Sequence, residues 1–249
     1  MPPKILLLQV RNPGDPVRAE ERQSFAHKAR LDLDHIIPWD LLSGPPSMQQ
    51  VRQYDALMVG GSGDYYVSKQ NLPQFSAIME LLQEVATMGH PTFASCFGFQ
   101  LLVKALGGEI IYDVEQTEVG TYPLTLTPNG QQDEVLGALP PDFCAQLGRK
   151  DRATVIPPDS IHLASSERCP YQSIRLSGKP VWATQFHPEL SGAENRQRFQ
   201  RYLNGYASTM TPAERATALE RFKDSPETET LISRFLKVVF DYEPNGTGR

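Results

Sequence analysis

Three stretches carry residue types that could do chemistry together. Cys96 lies in Pro91-Thr92-Phe93-Ala94-Ser95-Cys96-Phe97-Gly98-Phe99-Gln100, where a β-prone apolar run reaches a cysteine and passes a glycine. The run then becomes a helical pattern, with Leu101, Leu102, Ala105 and Leu106 at helical spacing and Gly107-Gly108 as a stop signal. A nucleophile on such a sharp turn is pushed clear of the sheet edge, with the next amide and the positive end of the helix facing the reacting carbonyl. A free thiol is mostly protonated at neutral pH and needs an activating base. His187, in Gln185-Phe186-His187-Pro188-Glu189, is the candidate base, and Glu189 can accept the imidazole's other N–H and fix its tautomer. Gly60-Gly61-Ser62-Gly63 supplies the third part, because glycines let backbone amides approach an oxyanion closely.

Each stretch alone has a plainer explanation. A lone cysteine at a strand end is most often a small buried hydrophobe, and a histidine there is most often a satisfied surface or core residue. A glycine-rich loop can cradle phosphate, but no Gly-Lys-Ser/Thr and no Gly-x-Gly-x-x-Gly is present. Only the combination points to a cysteine hydrolase.

The elements that must position these residues read as an alternation of strand and helix. Lys4–Val10 is a buried strand, residues 17–30 are helix-prone, and His35-Ile36-Ile37 is a short strand ended by Pro38. Tyr54–Val59 is a third strand running into the Gly60–Asp64 loop. Pro73–Met88 is an amphipathic helix with Phe75, Ile78, Met79, Leu82 and Val85 on one face. This order predicts an α/β fold, a doubly wound, mostly parallel sheet with helices on both faces, whose ligands sit beyond the carboxyl ends of the strands. From Glu109 to about Ile156 the pattern changes to short strands and turns, a small antiparallel portion attached to the same core. Tyr171–Leu176 and Val181–Phe186 read as a hairpin delivering His187, and Gly192–Tyr206 as a polar helix closing the domain. The boundaries expected are one domain over residues 1–206 and a helical C-terminal extension over 207–249 packed on it. In that tail Thr211-Pro212-Ala213-Glu214 has a full capping-box start. Ser225-Pro226-Glu227 starts a second helix, with Leu231, Ile232, Phe235, Leu236 and Val239 as its stripe.

Composition narrows the function classes. A net charge of −5 over 249 residues, without a basic cluster, invites no nucleic acid. No apolar run approaches a membrane span and the first ten residues lack a signal-peptide layout, so the expectation is a cytoplasmic protein. Cys96, Cys144 and Cys169 are too widely spaced for a disulfide framework or structural zinc, and five scattered histidines give no ligand spacing; no metal or cofactor is expected.

In order and spacing, Gly60-Gly61-Ser62-Gly63, Cys96-Phe97-Gly98-Phe99-Gln100 and Gln185–Glu189 resemble a class I, triad-type glutamine amidotransferase domain of flavodoxin-like fold, over roughly residues 4–205. The likeness extends to stand-alone GMP synthase-like members and plant γ-glutamyl peptidases. It implies attack of Cys96 on a γ-glutamyl amide, a γ-glutamyl thioester, release of ammonia and then glutamate. Carried over, Cys96 is the nucleophile, His187 the general base and acid, and Glu189 the orienting carboxylate. The amides of Gly61 and Phe97 form the oxyanion hole; Gly60, Ser62, Gln100, Gly148, Lys150 and Asp151 bind substrate. Glu118-Val119-Gly120 matches the family's Glu-x-Gly strand motif. Three departures stand out: Ala94 replaces Gly, Phe99 a His before Gln100, and Arg149 the His of a Ser-His-x-Asp loop. The two lost histidines are expected to change the pocket rim and with it the substrate. Three activities fit: a glutaminase passing ammonia to a separate synthetase, a self-contained γ-glutamyl hydrolase acting on glutathione-like peptides or γ-glutamyl amines, and a non-catalytic binding protein on the same fold.

Overall fold

A computed structural model describes residues 1–204 and 210–243. In chain order the elements are β1 (Ile5–Val10), α1 (Val17–Ala29), β2 (Ile36–Asp40), α2 (Met48–Val51), β3 (Ala56–Ser62) and α3 (Phe75–Met88). Then come β4 (Thr92–Ser95), α4 (Phe97–Ala105), β5 (Glu109–Tyr112), β6 (Glu118–Leu126), α5 (Pro128–Gln131), β7 (Asp142–Arg149) and β8 (Asp151–Val155). The chain continues with β9 (Ser160–Ser165), β10 (Ser173–Leu176), β11 (Val181–Thr184), α6 (Gly192–Arg201), α7 (Pro212–Glu220) and α8 (Leu231–Phe240).

A nine-stranded sheet runs in the order β2-β1-β3-β4-β11-β10-β9-β6-β7, with β5 and β8 paired separately. The first five strands are parallel to one another, and from β11 onward every pairing is antiparallel. The expected antiparallel portion is therefore continuous with the parallel one. Alternation along β1 explains the two faces. Leu6 and Leu8 enter one apolar layer with α3 and α4, while Ile5 and Leu7 enter the other with Phe25, Phe93 and Trp182.

Tertiary context moved several boundaries. β2 passes through Pro38 instead of ending there, which it can do because β2 is an edge strand. Gly60, Gly61 and Ser62 belong to β3 and not to a loop. β9 has no counterpart in the sequence reading; it is held between β10 and β6 by the ladder. The helix α3 begins at Phe75, after Gln74 in left-handed backbone, and not at Pro73. The capping box at Thr211 is present, but Ser225-Pro226-Glu227 leads into a 3-10 turn at Thr228–Thr230, with the α-helix starting at Leu231. Leu231, Ile232, Phe235 and Leu236 are fully buried, and the Phe235 ring lies edge-on to Phe93 at 5.6 Å and Trp182 at 5.7 Å. The expected helix end at Tyr206 and the division at 206/207 lie outside the described residues.

Candidate active site

Adjacent parallel strands bring the cysteine and histidine together. β4 pairs with β11 from Thr92↔Val181 to Ser95↔Thr184, so both chains leave the sheet side by side. The Cys96 amide donates to the Thr184 carbonyl at 2.8 Å, and the His187 amide donates to the Gln146 carbonyl at 2.9 Å. Cys96 has φ 50° and ψ −102°, a sparsely populated backbone for a residue with a Cβ. Gly98 makes the turn possible: a Cβ there would lie 2.5 Å from the Val59 carbonyl oxygen, so only glycine lets the first turn of α4 close onto β3.

The His187 Nδ1 lies 2.6 Å from Glu189 Oε1, which leaves the other ring nitrogen free of Glu189, and Cys96 acts electrostatically on the imidazole. Glu189 is fully buried and lies 3.6 Å from Arg198 Nη1. Burial pulls the His187 pKa down, but Cys96 and the Glu189 carboxylate outweigh it and raise the imidazole to about 10. Burial likewise opposes ionisation of Glu189, yet His187 and Arg198 hold its pKa below the ordinary carboxylate value. A thiol, an imidazole and a carboxylate thus lie together where β4 and β11 leave the sheet.

A cleft opens at the cysteine. It is lined by Cys96 and Phe97 together with Ser62, Gln100, Gly148, Lys150 and Asp151, residues singled out from sequence, and by Tyr65 and Tyr66, which were not. Gln100 is held by the Asp151 carbonyl at 3.2 Å and Gln185 Oε1 at 3.1 Å. The Asp151 carboxylate accepts from the Ser68 amide and hydroxyl; burial nonetheless raises its pKa. Burial, together with the nearby Lys69 charge, lowers that of Lys150.

Three expectations need correction. Gly60 does not line the cavity: it packs on Glu21, whose carboxyl carbon a Cβ would meet at 2.8 Å. The Gly61 amide is not presented to the cavity as an oxyanion donor, since it donates to Glu21 Oε1 at 3.2 Å. Of the two histidine replacements only one reaches the rim: Phe99 is fully buried in the core, whereas Arg149 lines the cavity while its guanidinium pairs with Glu118. Glu21 was invisible as a site residue, although one signal existed. It sits at i+4 from Val17 and i−4 from Phe25, on the buried face of α1, and a carboxylate there demands a buried partner. That partner is Arg11, at 2.6 Å.

A second, small cavity shares Ser62, Gly63 and Gly148 with the first and has His187 on its wall. Among the described residues no group of three or more His, Cys, Asp or Glu could hold a metal ion, and no helix is long and apolar enough to cross a membrane.

Comparison with known proteins agrees with the geometry. The model of the family described as glutamine amidotransferase class-I matches residues 35–202, more than half of the chain. The chain is 27% identical over 156 residues to a glutamine-hydrolyzing GMP synthase of Caldanaerobacter subterraneus, covering 63% of this chain and 28% of that protein. It is 32% identical over 109 residues to one of Streptococcus pneumoniae, covering 43% of this chain and 20% of that protein. It thus spans little more than a quarter of the first relative and a fifth of the second. A glutamine amidotransferase from Thermotoga maritima superposes with a TM-score of 0.70 at 16% identity, covering 96% of this chain and 98% of that one. A glutamine amidotransferase from Methylobacillus flagellatus gives 0.66 at 19% identity, covering 100% and 99%. With the fold shared over nearly its full length and the family's sequence pattern running from β2 past α6, this chain belongs to the class I glutamine amidotransferases.

Proposed function

We propose that the chain hydrolyses the side-chain amide of glutamine or a related γ-glutamyl compound, with Cys96 as nucleophile. The observation that carries this reading is the Cys96–His187–Glu189 relay at the carboxyl ends of neighbouring strands. The Cys96 sulfur attacks the γ-carbonyl carbon, and the Phe97 amide, at the positive end of α4, stabilises the oxyanion. A second donor from Gly61 requires its bond to Glu21 to open first. The imidazolium of His187 then gives its proton to the departing nitrogen as the C–N bond breaks and a thioester remains. Water, deprotonated by His187, attacks the thioester, releasing glutamate and restoring the thiol. Ser62, Gln100, Gly148, Lys150 and Asp151 surround the glutamyl part.

Ammonia formed this way serves a separate synthetase, a role suggested by the glutamine-hydrolyzing GMP synthases that are similar to this chain but far longer. We read residues 1–206 as the hydrolase domain, residues 207–249 as its extension and the protein as cytoplasmic. Glutamate release from glutamine and from a panel of γ-glutamyl peptides and amines, followed by mass spectrometry, tests the reading. Cys96→Ala is expected to lower any turnover at least about 10⁴-fold. Substantial activity in that variant would remove Cys96 from its role.

A further inference from the structure

We propose that Asp151 is a positioning residue: its carboxylate holds the segment between β3 and α3 in place as a wall of the cysteine cleft, instead of binding the glutamyl group itself. Its effect on catalysis rests on the hydrolase reading above; its hold on the segment does not. Residues 63–74 form no helix or strand. Gly63, Tyr65 and Tyr66 of this segment nonetheless line the cleft together with Cys96 and Phe97. A connection of that length without a ladder of its own keeps one shape only through bonds to its neighbours. Two apolar feet, Val67 and Leu72, enter the core layer of α3 and α4. Ser68 lies between them and is held by polar contacts. Its amide donates to Asp151 Oδ2 at 2.9 Å and its hydroxyl to Oδ1 at 2.7 Å.

Asp151 opens β8 and stands opposite Tyr112 of β5. This cross-strand pair grips the segment twice. Asp151 takes Ser68, and the Tyr112 ring stands edge-on to Tyr66 at 5.5 Å, with the Lys69 ammonium 4.2 and 4.4 Å from the centres of the Tyr66 and Tyr112 rings. The backbone carbonyl of Asp151 accepts from Gln100 Nε2 at 3.2 Å, on the helix that begins beside Cys96. One residue thus ties the wall bearing Tyr66 to the helix that follows the nucleophile. Asp151 is 2% exposed and each of its oxygens already has a donor from Ser68, so little of the carboxylate is open to a ligand. Burial disfavours its charge, while the Ser68 bonds and the nearby Lys69 favour it. Bonds to an ionised acceptor are stronger than neutral ones, which makes this a firm attachment. The other end of the segment is held separately: the Tyr65 amide donates to Ser62 Oγ at 3.1 Å and its hydroxyl to Asn12 Oδ1 at 2.9 Å. Loss of the Asp151 contact therefore frees the part from Tyr66 onward and leaves the rest anchored.

A double-mutant cycle on the full-length protein separates a latch from a ligand contact. Asp151→Asn, Ser68→Ala and the double variant are compared in the rate at which a glutamine-mimicking electrophile labels Cys96, with iodoacetamide reporting on the thiol itself. Each single variant is expected to slow labelling by the mimic about 10-fold, the scale of one charged hydrogen bond. The double variant should be no slower than either, because both substitutions break the same contact. Ser68→Thr, which keeps the hydroxyl, should restore most of the rate. Hydrogen exchange over residues 66–71, followed by mass spectrometry, should speed up at least about 10-fold in Asp151→Asn and in Ser68→Ala alike. Slow labelling in Asp151→Asn with Ser68→Ala at the unmodified rate would assign Asp151 to the ligand and overturn the proposal. Additive effects in the double variant, or unchanged exchange in the segment, would overturn it too. If the mimic fails to label a thiol that iodoacetamide does modify in the unmodified protein, the hydrolase reading falls, and the exchange measurement decides the latch by itself.

Discussion

Cys96, His187 and Glu189 work through a balance of burial against charge, and that balance makes their titration readable. Burial alone would lower the His187 pKa; Cys96 and the Glu189 carboxylate raise it to about 10. ¹⁵N-histidine NMR is expected to find His187 protonated at pH 8. Cys96→Ala removes the largest raising influence, so its ring should become neutral at lower pH; an unmoved titration would mean that the sulfur is not its partner. The same shift links pH to stability. A histidine whose folded pKa exceeds its unfolded value of about 6.5 contributes stability that is complete below pH 6.5 and lost as pH rises through about 10. Denaturant unfolding should therefore show stability declining over that window, with a shallower decline in His187→Gln. Glu189→Gln keeps the shape but removes the charge that orients and supports the imidazolium. Turnover is expected to fall by about 10² to 10⁴-fold, above the floor set by Cys96→Ala. Wild-type turnover in Glu189→Gln would assign the orienting role to another group.

At the scale of elements, the site depends on how closely α4 approaches β3 and how α8 covers the opposite face. Gly98→Ala places a methyl 2.5 Å from a backbone carbonyl that cannot step aside. The helix start must shift, so labelling of Cys96 by a glutamine-mimicking electrophile should slow at least about 10-fold, given that misplacements near 1 Å cost about 10² in rate. Phe235→Ala acts on the other layer. Its ring packs edge-on against Phe93 of β4 and Trp182 of β11, and its loss is expected to cost about 3–5 kcal/mol in chemical denaturation. The affected strands are those that carry Cys96 and His187, so α8 supports the site from behind without touching it.

The whole molecule is one sheet whose parallel half ends at β11 and whose antiparallel half begins there. The site sits where the two halves meet, with β4 and β11 supplying the relay and β7 the far wall at Gly148. Removing residues 231–249 would uncover the apolar layer of Phe25, Phe93 and Trp182. Scanning calorimetry is expected to show a midpoint about 10 °C lower or more, since several kcal/mol of burial are lost and each shifts a domain of this size by about 2–4 °C. An unchanged midpoint would make the helix dispensable.

Local chemistry was legible in the chain itself. A strand that reaches a cysteine and continues as a helix through Gly98 needs no distant information, and neither does the capping box at Thr211, because both are settled by neighbouring residues. The pairing of His187 with Glu189 follows from their separation of two residues. What required the folded molecule were the encounters between segments far apart in sequence. Glu21 of α1 takes the Gly61 amide that the glycine pattern reserved for an oxyanion, and Arg149 spends its charge on Glu118. β9 is held by two strands that flank it in the sheet, and Arg11, His187 and Arg198 share one cavity wall. Residue types and spacing determined which groups were available for catalysis. Packing decided which of them face each other, because a buried charge or amide takes whichever partner the fold brings within reach.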